Sequence, residues 1–369
     1  MASKRKIKKV VKAAQKKPKL FITLLIIFIL LGAAFIIVDY LDIYDFGYFG
    51  PSKASPITDE FRITFLETGN RNTGDSIYVK AGDTDLLIDA GSTKSSASTI
   101  INHLDKYIKD DKLEYVIATH AHEDHIAGFV GLSTGQGIFE RYDVGTIIDF
   151  PKTNSSSKIY SEYCAERDAE IANGATHYTA LECYKELNGA KRIINLSEDV
   201  TLEFLYNYYY ENNTTNENNY SVCVLIRHGS RSFLLTGDLE DKGEEYLVEY
   251  NKLPKVDVYK AGHHGSYTAG SEELLSVIQP DIVCICCCAG TDEYTKDPLN
   301  MFPAQDFISR ICKYTERVYV TTLGTDDGFT SMNGDITVVS NNDGLVLYFS
   351  NNDTILKETK WFKENRKWE

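Results

Sequence analysis

The chain has 369 residues, 43% of them hydrophobic and 25% charged, which excludes a globally disordered polymer and leaves room for one large domain with appendages. Its formal charge is −14, but nine of the 39 Lys and Arg and none of the 53 acids lie in residues 1–19, so the remainder carries −23. An acidic body of this kind excludes a general nucleic-acid binder, which shows a basic face or stripe, and leaves only a local basic groove open.

Leu20 to Val38 is an uncharged apolar run of 19 residues. At about 1.5 Å per residue it nearly crosses a hydrocarbon core of about 30 Å. Residues 1–19 precede it as a basic segment, and Asp39, Asp42 and Asp45 follow. The positive-inside rule then puts the N-terminus in the cytoplasm and the rest outside, on a single-pass cell-membrane anchor whose partner is the lipid bilayer. The alternative is a cleaved signal peptide ending near Ala33-Ala34. It is disfavoured because the apolar run continues through Phe35 to Val38. Residues 39–59, with Gly47, Gly50, Pro51 and Pro56, read as a stalk.

From Phe61 the pattern becomes mixed. Phe61–Leu66, Ser76–Lys80 and Asp85–Asp89 read as strands, Thr99–Ile108 as a helix, and Leu113–Ala118 and Val144–Phe150 as strands. Residues 151–197 hold a Ser-rich loop and a helix near Tyr160–Ile171, and read as an insertion at a site mouth. Strands follow at Thr201–Tyr209, Tyr220–Arg227 and Ser232–Thr236, with an Asn/Thr-rich turn before the second. Glu240–Tyr250, Ser271–Ile278 and Ala304–Tyr314 read as helices. Val256–Lys260, Asp281–Cys288, Val318–Thr322, Ile336–Ser340 and Leu345–Ser350 read as strands, leaving 351–369 as a C-terminal tail. Such alternation suits two sheets sandwiched between helices. The chain has eight cysteines, none at paired CxxC spacing; those from Cys284 to Cys288 act as small hydrophobes in a buried strand, and Cys164 and Cys183 are open to pairing in an oxidising exterior.

The chemistry concentrates at strand ends. Thr119-His120-Ala121-His122-Glu123-Asp124-His125 follows an apolar strand and packs three of the chain's eight histidines into six residues. Three more apolar strands end in donors: at Asp89-Ala-Gly91, at Thr236-Gly-Asp238-Leu-Glu240, and at Gly262-His263-His264-Gly265. Imidazole nitrogen and carboxylate oxygen suit borderline divalent metals, and strand ends on one edge of a sheet are where α/β folds place ligands. Together these positions supply donors for two adjacent cations.

The order of His-Ala-His-Glu-Asp-His, Thr-Gly-Asp-Leu-Glu and Gly-His-His-Gly-Ser resembles the metallo-β-lactamase superfamily over about residues 60–350, in particular its ComEC-like branch; phosphorylcholine esterases are also similar. The resemblance implies an αββα sandwich, here behind an N-terminal transmembrane helix. It implies two divalent cations, zinc first with manganese as the alternative. His120 and His122 would bind the first; Asp124, His125 and a later histidine would bind the second, with Asp238 bridging. His264 is taken as that later ligand and His263 as a phosphate-facing neighbour, although the sequence does not separate them. Asp89 would buttress the ligand turns. Most of the superfamily has a further histidine ligand where this chain reads Asn218-Asn219-Tyr220-Ser221, which weakens the first site and admits harder ions such as manganese beside zinc. Relatives often carry Tyr-Gly-His-Pro where this chain reads Tyr294-Thr-Lys-Asp-Pro298. His177 and His228 are not expected as ligands.

The resemblance also implies metal-assisted hydrolysis of a phosphodiester such as DNA or a cell-wall polymer, nuclease-like or teichoic-acid/phosphorylcholine-esterase-like. Asp124 would orient the nucleophile, His263 would contact phosphate, and Glu240 would steer a cationic or hydroxyl group. Lys260 is either a phosphate contact or a solvated strand-end residue. A non-catalytic metal-binding module that binds DNA or cell-wall polymer beside a partner is the alternative. β-Lactam hydrolysis is the weakest reading, because the Asn218–Ser221 stretch lacks the histidine it needs.

Overall fold

The computed structural model describes residues 60–369. The expected basic segment, membrane span and stalk (residues 1–59) lie outside the described residues. Among the described residues no helix is long and apolar enough to cross a membrane.

Strands β1 (Phe61–Phe65), β2 (Ile77–Ala81) and β3 (Thr84–Ile88) form an antiparallel meander. Helix α1 (Ser96–Leu104) leads to β4 (Lys112–Ile117), which lies parallel to β3. Helices α2 (Glu123–Val130) and α3 (Ile138–Arg141) precede β5 (Asp143–Asp149), and α4 (Lys158–Asn173) precedes β6 (Thr176–Thr179); both strands add in parallel. After α5 (Ala180–Lys185) the chain enters a second sheet. Here β7 (Ile193–Asn195), β8 (Val200–Phe204), β9 (Val224–His228) and β10 (Arg231–Leu235) are antiparallel neighbours. Helix α6 (Asp241–Tyr250), β11 (Val258–Lys260), α7 (Glu272–Ile278), β12 (Ile282–Ala289), α8 (Gln305–Ile311) and β13 (Val318–Thr325) continue it with parallel crossovers. β14 (Gly328–Ser331) closes this sheet, β15 (Ile336–Asn341) and β16 (Gly344–Phe349) return to the first, and α9 (Lys360–Asn365) follows. The strand orders are 16-15-1-2-3-4-5-6 and 14-13-12-11-10-9-8-7.

The sandwich follows from burial on both faces of the central strands. In β12, Ile282, Cys284 and Cys286 pack between the sheets, while Val283, Ile285 and Cys287 pack under the outer helices. β10 divides the same way, with Phe233 and Leu235 inward and Leu234 outward. Strands covered on both sides read as unbroken apolar runs rather than alternating ones. All eight cysteines are free thiols, Cys164 and Cys183 included.

Several boundaries differ from the sequence expectation. The chain leaves β8 at Phe204, and Tyr208–Tyr210 is a 3₁₀ turn rather than the end of a strand. The cause is Asn207, whose side-chain amide donates to the carbonyls of Asn219 (2.8 Å) and Ser221 (2.9 Å) and so takes the acceptors that a strand would pair. β9 therefore starts at Val224 and not at Tyr220. The stretch 151–197 supplies an edge strand to each sheet, β6 and β7, in addition to helix α4. Residues 351–369 are docked: Leu356 and Phe362 are buried in the outer core of the second sheet, and Arg366 donates to the carbonyls of Met301 (2.7 Å) and Pro303 (2.8 Å).

Candidate metal centre

β3, β4, β10 and β11 all deliver their C-terminal ends to one edge of the sandwich. Asp89, just after β3, has a left-handed backbone (φ 58°) and is fully buried. Its carboxylate accepts from the Thr119 amide and hydroxyl (2.7 Å each) and from His125 Nδ1 (2.7 Å). The turn after β4 is thereby tied to β3, and Nε2 of His125 is left to face outward from Asp89. His122 caps α2, which puts Asp124 and His125 in its first turn. That helix sits tight on β3 because Gly128 has no side chain; a Cβ there would lie 2.2 Å from the Ala90 carbonyl oxygen.

Asp238 follows β10, with its amide donating to Ser221 Oγ (3.0 Å). His263 and His264 follow β11 in two consecutive left-handed conformations (φ 43° and 54°). Such strain costs about 1–3 kcal/mol per residue and persists only where the surroundings enforce it. Its result is a division of labour. His264 Nδ1 donates to the Cys286 carbonyl (2.8 Å), and its Nε2 lies 3.1 Å from Asp238 Oδ2 and 3.3 Å from Asp124 Oδ2. His263 instead faces Glu240 Oε1 (3.2 Å) and packs on Phe302.

Asp124, His125, Asp238 and His264 thus bring donor atoms within 4.8 Å of one another, all buried. Nε2 of His125 lies 3.1 Å from Asp238 Oδ2, yet neither it nor Nε2 of His264 has an aligned hydrogen bond. Buried nitrogens that converge on carboxylate oxygens without hydrogen-bonding to them fit a divalent cation. The fields agree. Burial opposes charge at Asp124 and Asp238, but His125 and His264 hold both carboxyls well below the usual range. Burial likewise opposes charge on His125 and His264, and the surrounding carboxylates, Asp238 foremost, raise both imidazoles well above theirs. Burial and the neighbouring His125 push His120 down.

His120 Nε2 and His122 Nδ1 converge at 3.0 Å beside this group, the pair that the resemblance assigns to a first cation. Ser221 Oγ accepts from the Asp238 amide (3.0 Å) and lies 3.5 Å from His120 Nδ1, the nitrogen that does not face His122. Asn218 is turned away to Glu240, which also holds Asn216 (2.8 and 2.7 Å). Of the three residues expected to act on substrate, Asp124 stands in the cluster, while His263 and Glu240 form a separate pair outside it. His177 bonds Asp149 (2.9 Å) and His228 bonds Ser340 (2.8 Å), and neither joins the cluster.

Lys260 corrects both of its expected roles. It is neither solvated nor available to phosphate: it is 1% exposed, ion-paired with Asp75, and donates to the Gly237 carbonyl (3.0 Å). The paired carboxylate explains how the ammonium tolerates burial. Asp75 escaped the sequence reading. Its sequence signal was the adjacent Gly74, whose need shows in the structure: in the loop between β1 and β2 a Cβ there would lie 2.5 Å from Ser92 Cα and 2.7 Å from the Asp124 carbonyl oxygen. Tyr294 was read only for its lost histidine neighbour. Its ring is half exposed, but its hydroxyl donates to Asp124 Oδ2 (2.6 Å), and the adjacent Glu293 clamps this loop to Asn72 (2.7 Å) and Thr73 (2.8 Å).

Residues 69–138 match the family model of the metallo-β-lactamase superfamily, and this match, with two sheets between helices, identifies a metallo-β-lactamase domain in the chain. Parts of the chain are similar to a recombination protein, a ComE operon protein and a competence protein. Recombination protein 2 of Haemophilus influenzae is 44% identical over 72 residues, which is 20% of this chain and 9% of that protein. Competence protein ComA of Neisseria gonorrhoeae is 24% identical over 227 residues, 60% of this chain and 26% of that protein. The chain therefore matches only a small part of the length of these relatives. Among solved structures, the metallo-β-lactamase fold protein YhfI of Bacillus subtilis superposes with a TM-score of 0.42 at 13% identity, over 72% of this chain and 97% of that one.

Proposed function

We propose that the chain is a membrane-anchored, metal-dependent phosphodiesterase acting outside the cytoplasm. The observation that carries the catalytic part is the convergence of His125 Nε2, His264 Nε2, Asp124 Oδ2 and Asp238 Oδ2, with both nitrogens lacking hydrogen-bond partners. His120 and His122 would hold a first cation and Asp124, His125 and His264 a second, with Asp238 shared. Two such cations supply Lewis acidity and a hydroxide nucleophile near neutral pH. The chain's residues do the rest. Asp124 orients the nucleophile, Tyr294 fixes the Asp124 carboxylate, and Asp89 holds the His125 ring. His263, oriented by Glu240, faces the phosphate at the mouth. A phosphodiester fits a site whose charge must come from its cations, because the body is acidic. The named roles of the relatives, recombination and competence, favour DNA within that class. The anchor rests on the apolar run Leu20–Val38 behind its basic segment.

The test is metal analysis of the full-length chain, then turnover of bis(p-nitrophenyl) phosphate with zinc or manganese. The expected result is two bound cations and turnover abolished by Asp238→Ala. DNA and a polyol-phosphate polymer then separate the substrates. Bound metal without turnover in either ion would support the second reading, a binding module. The observation favouring that reading is that His177 and His228, the histidines between the histidine turn and His263, bond Asp149 and Ser340 and leave the first site with His120 and His122 alone as imidazole donors among the described residues. Carbonate-resistant sedimentation with membranes, lost on deletion of residues 1–55, tests the anchor.

A further inference from the structure

We infer that Asp75 and Lys260 form an internal positioning pair that sets the orientation of Asp238 and His264, and with it the affinity of the centre for its second cation. This rests on the metal-centre reading above and adds two residues outside its ligand set. Both are buried at the base of the cluster, Asp75 wholly and Lys260 at 1% exposure. The Lys260 ammonium pairs with Asp75, donates to the Gly237 carbonyl (3.0 Å), and lies 3.4 Å from Asp238 Oδ1. It thereby occupies one oxygen of Asp238 and leaves Oδ2 for His125 and His264, each 3.1 Å away. Asp75 works on the other ligand: its Oδ1 lies 3.2 Å from His264 Nδ1. A carboxylate there favours a proton on Nδ1, already donated to Cys286, and so leaves Nε2 for a cation. The backbone locks the arrangement, because the Asp75 amide donates to the Asp124 carbonyl (3.1 Å) and its carbonyl accepts from Gly91 (2.6 Å).

Stability alone does not account for two buried charges. Desolvating a carboxylate and an ammonium costs several kcal/mol each, and apolar replacements of a buried pair are often neutral or stabilising, whereas removal of one partner is strongly destabilising. A pair kept only for the fold would be replaceable. A pair that aims ligands is not.

The experiment uses the full-length chain and the variant Asp75→Asn with Lys260→Met, which removes both charges together. A second variant, Asp75→Asn with Lys260→Gln, keeps a donor for the Gly237 carbonyl if the methionine does not pack. Zinc and manganese binding is measured by calorimetry and mass spectrometry, and the melting temperature is measured without metal. The expected result is a metal-free melting temperature equal to or above the parent's, with second-cation affinity reduced about 10–100-fold, the usual loss for outer partners of a metal site. A folded double variant that binds both cations at parental affinity overturns this inference alone. A parent chain that binds no divalent metal overturns the metal-centre reading and this inference with it.

Discussion

His263 and His264 show how little adjacency in sequence says about role. Both take left-handed backbones, and the consequence is that one imidazole enters the cluster while the other turns to Glu240. His264→Ala removes a buried nitrogen that faces two carboxylates. It is expected to lower second-cation affinity by at least about 100-fold, more than the loss of an outer partner. His263→Ala is expected to leave cation stoichiometry unchanged and to lower turnover of a phosphodiester. Mass-spectrometric metal counts on the two purified variants check this. Equal metal loss in both would mean that the pair is not divided as described. The same logic explains why the sequence left the two open: the motif carries both residue types, and only the backbone dihedrals decide between them.

Elements were legible where burial left a periodic mark. β12 was readable because both of its faces are covered, and β10 for the same reason. The edge strands β6 and β7 were not, because they are short and half exposed and carry no apolar run. β8 was read too long because Tyr206 and Tyr208 look like strand residues, while the amide of Asn207 ends the ladder. The histidine turn, Asp238 and Asp89 were legible because each ends an apolar strand. Asp75 was not, because its charge partner Lys260 is distant in the chain and an isolated Gly-Asp reads as a turn. The Gly74 turn carries its own test. Gly74→Ala would place a Cβ against Ser92 Cα and the Asp124 carbonyl, both backbone atoms that cannot step aside. Overpacking of this kind costs about 1–3 kcal/mol. Because the displaced first turn of α2 carries Asp124, cation affinity should fall together with stability. Denaturant unfolding and metal titration of the variant measure the two losses, and a variant with unchanged unfolding would contradict the close packing of this loop.

At the scale of the whole molecule, the two sheets meet where the charges are most concentrated. Asp75, Asp89, Asp124 and Asp238 are all buried at one edge; Asp75 precedes β2, Asp89 follows β3 and Asp124 follows β4, all strands of the first sheet, and Asp238 follows β10 of the second. Without metal, the counter-charge must come from Lys260 and from protonated His125 and His264. Those imidazoles are held well above their ordinary values once the carboxylates overcome the opposing effect of burial. A group whose folded pKa is raised stabilises the fold fully below its unfolded value, about 6.5 for histidine, and that contribution is lost as pH rises through the folded value. The metal-free chain should therefore lose stability from about pH 6.5 upward. Metal-loaded protein needs these histidines unprotonated and binds more tightly as pH rises. Chelation should consequently cost more at pH 8 than at pH 6. At free metal about a hundredfold above the dissociation constant, each cation adds about 2.7 kcal/mol, or about 4 °C in melting temperature for a body of this size. Calorimetric scans with and without EDTA at the two pH values measure the gap. A gap that is absent, or that narrows at the higher pH, would remove the linkage between the two sheets' carboxylates and a bound pair of cations.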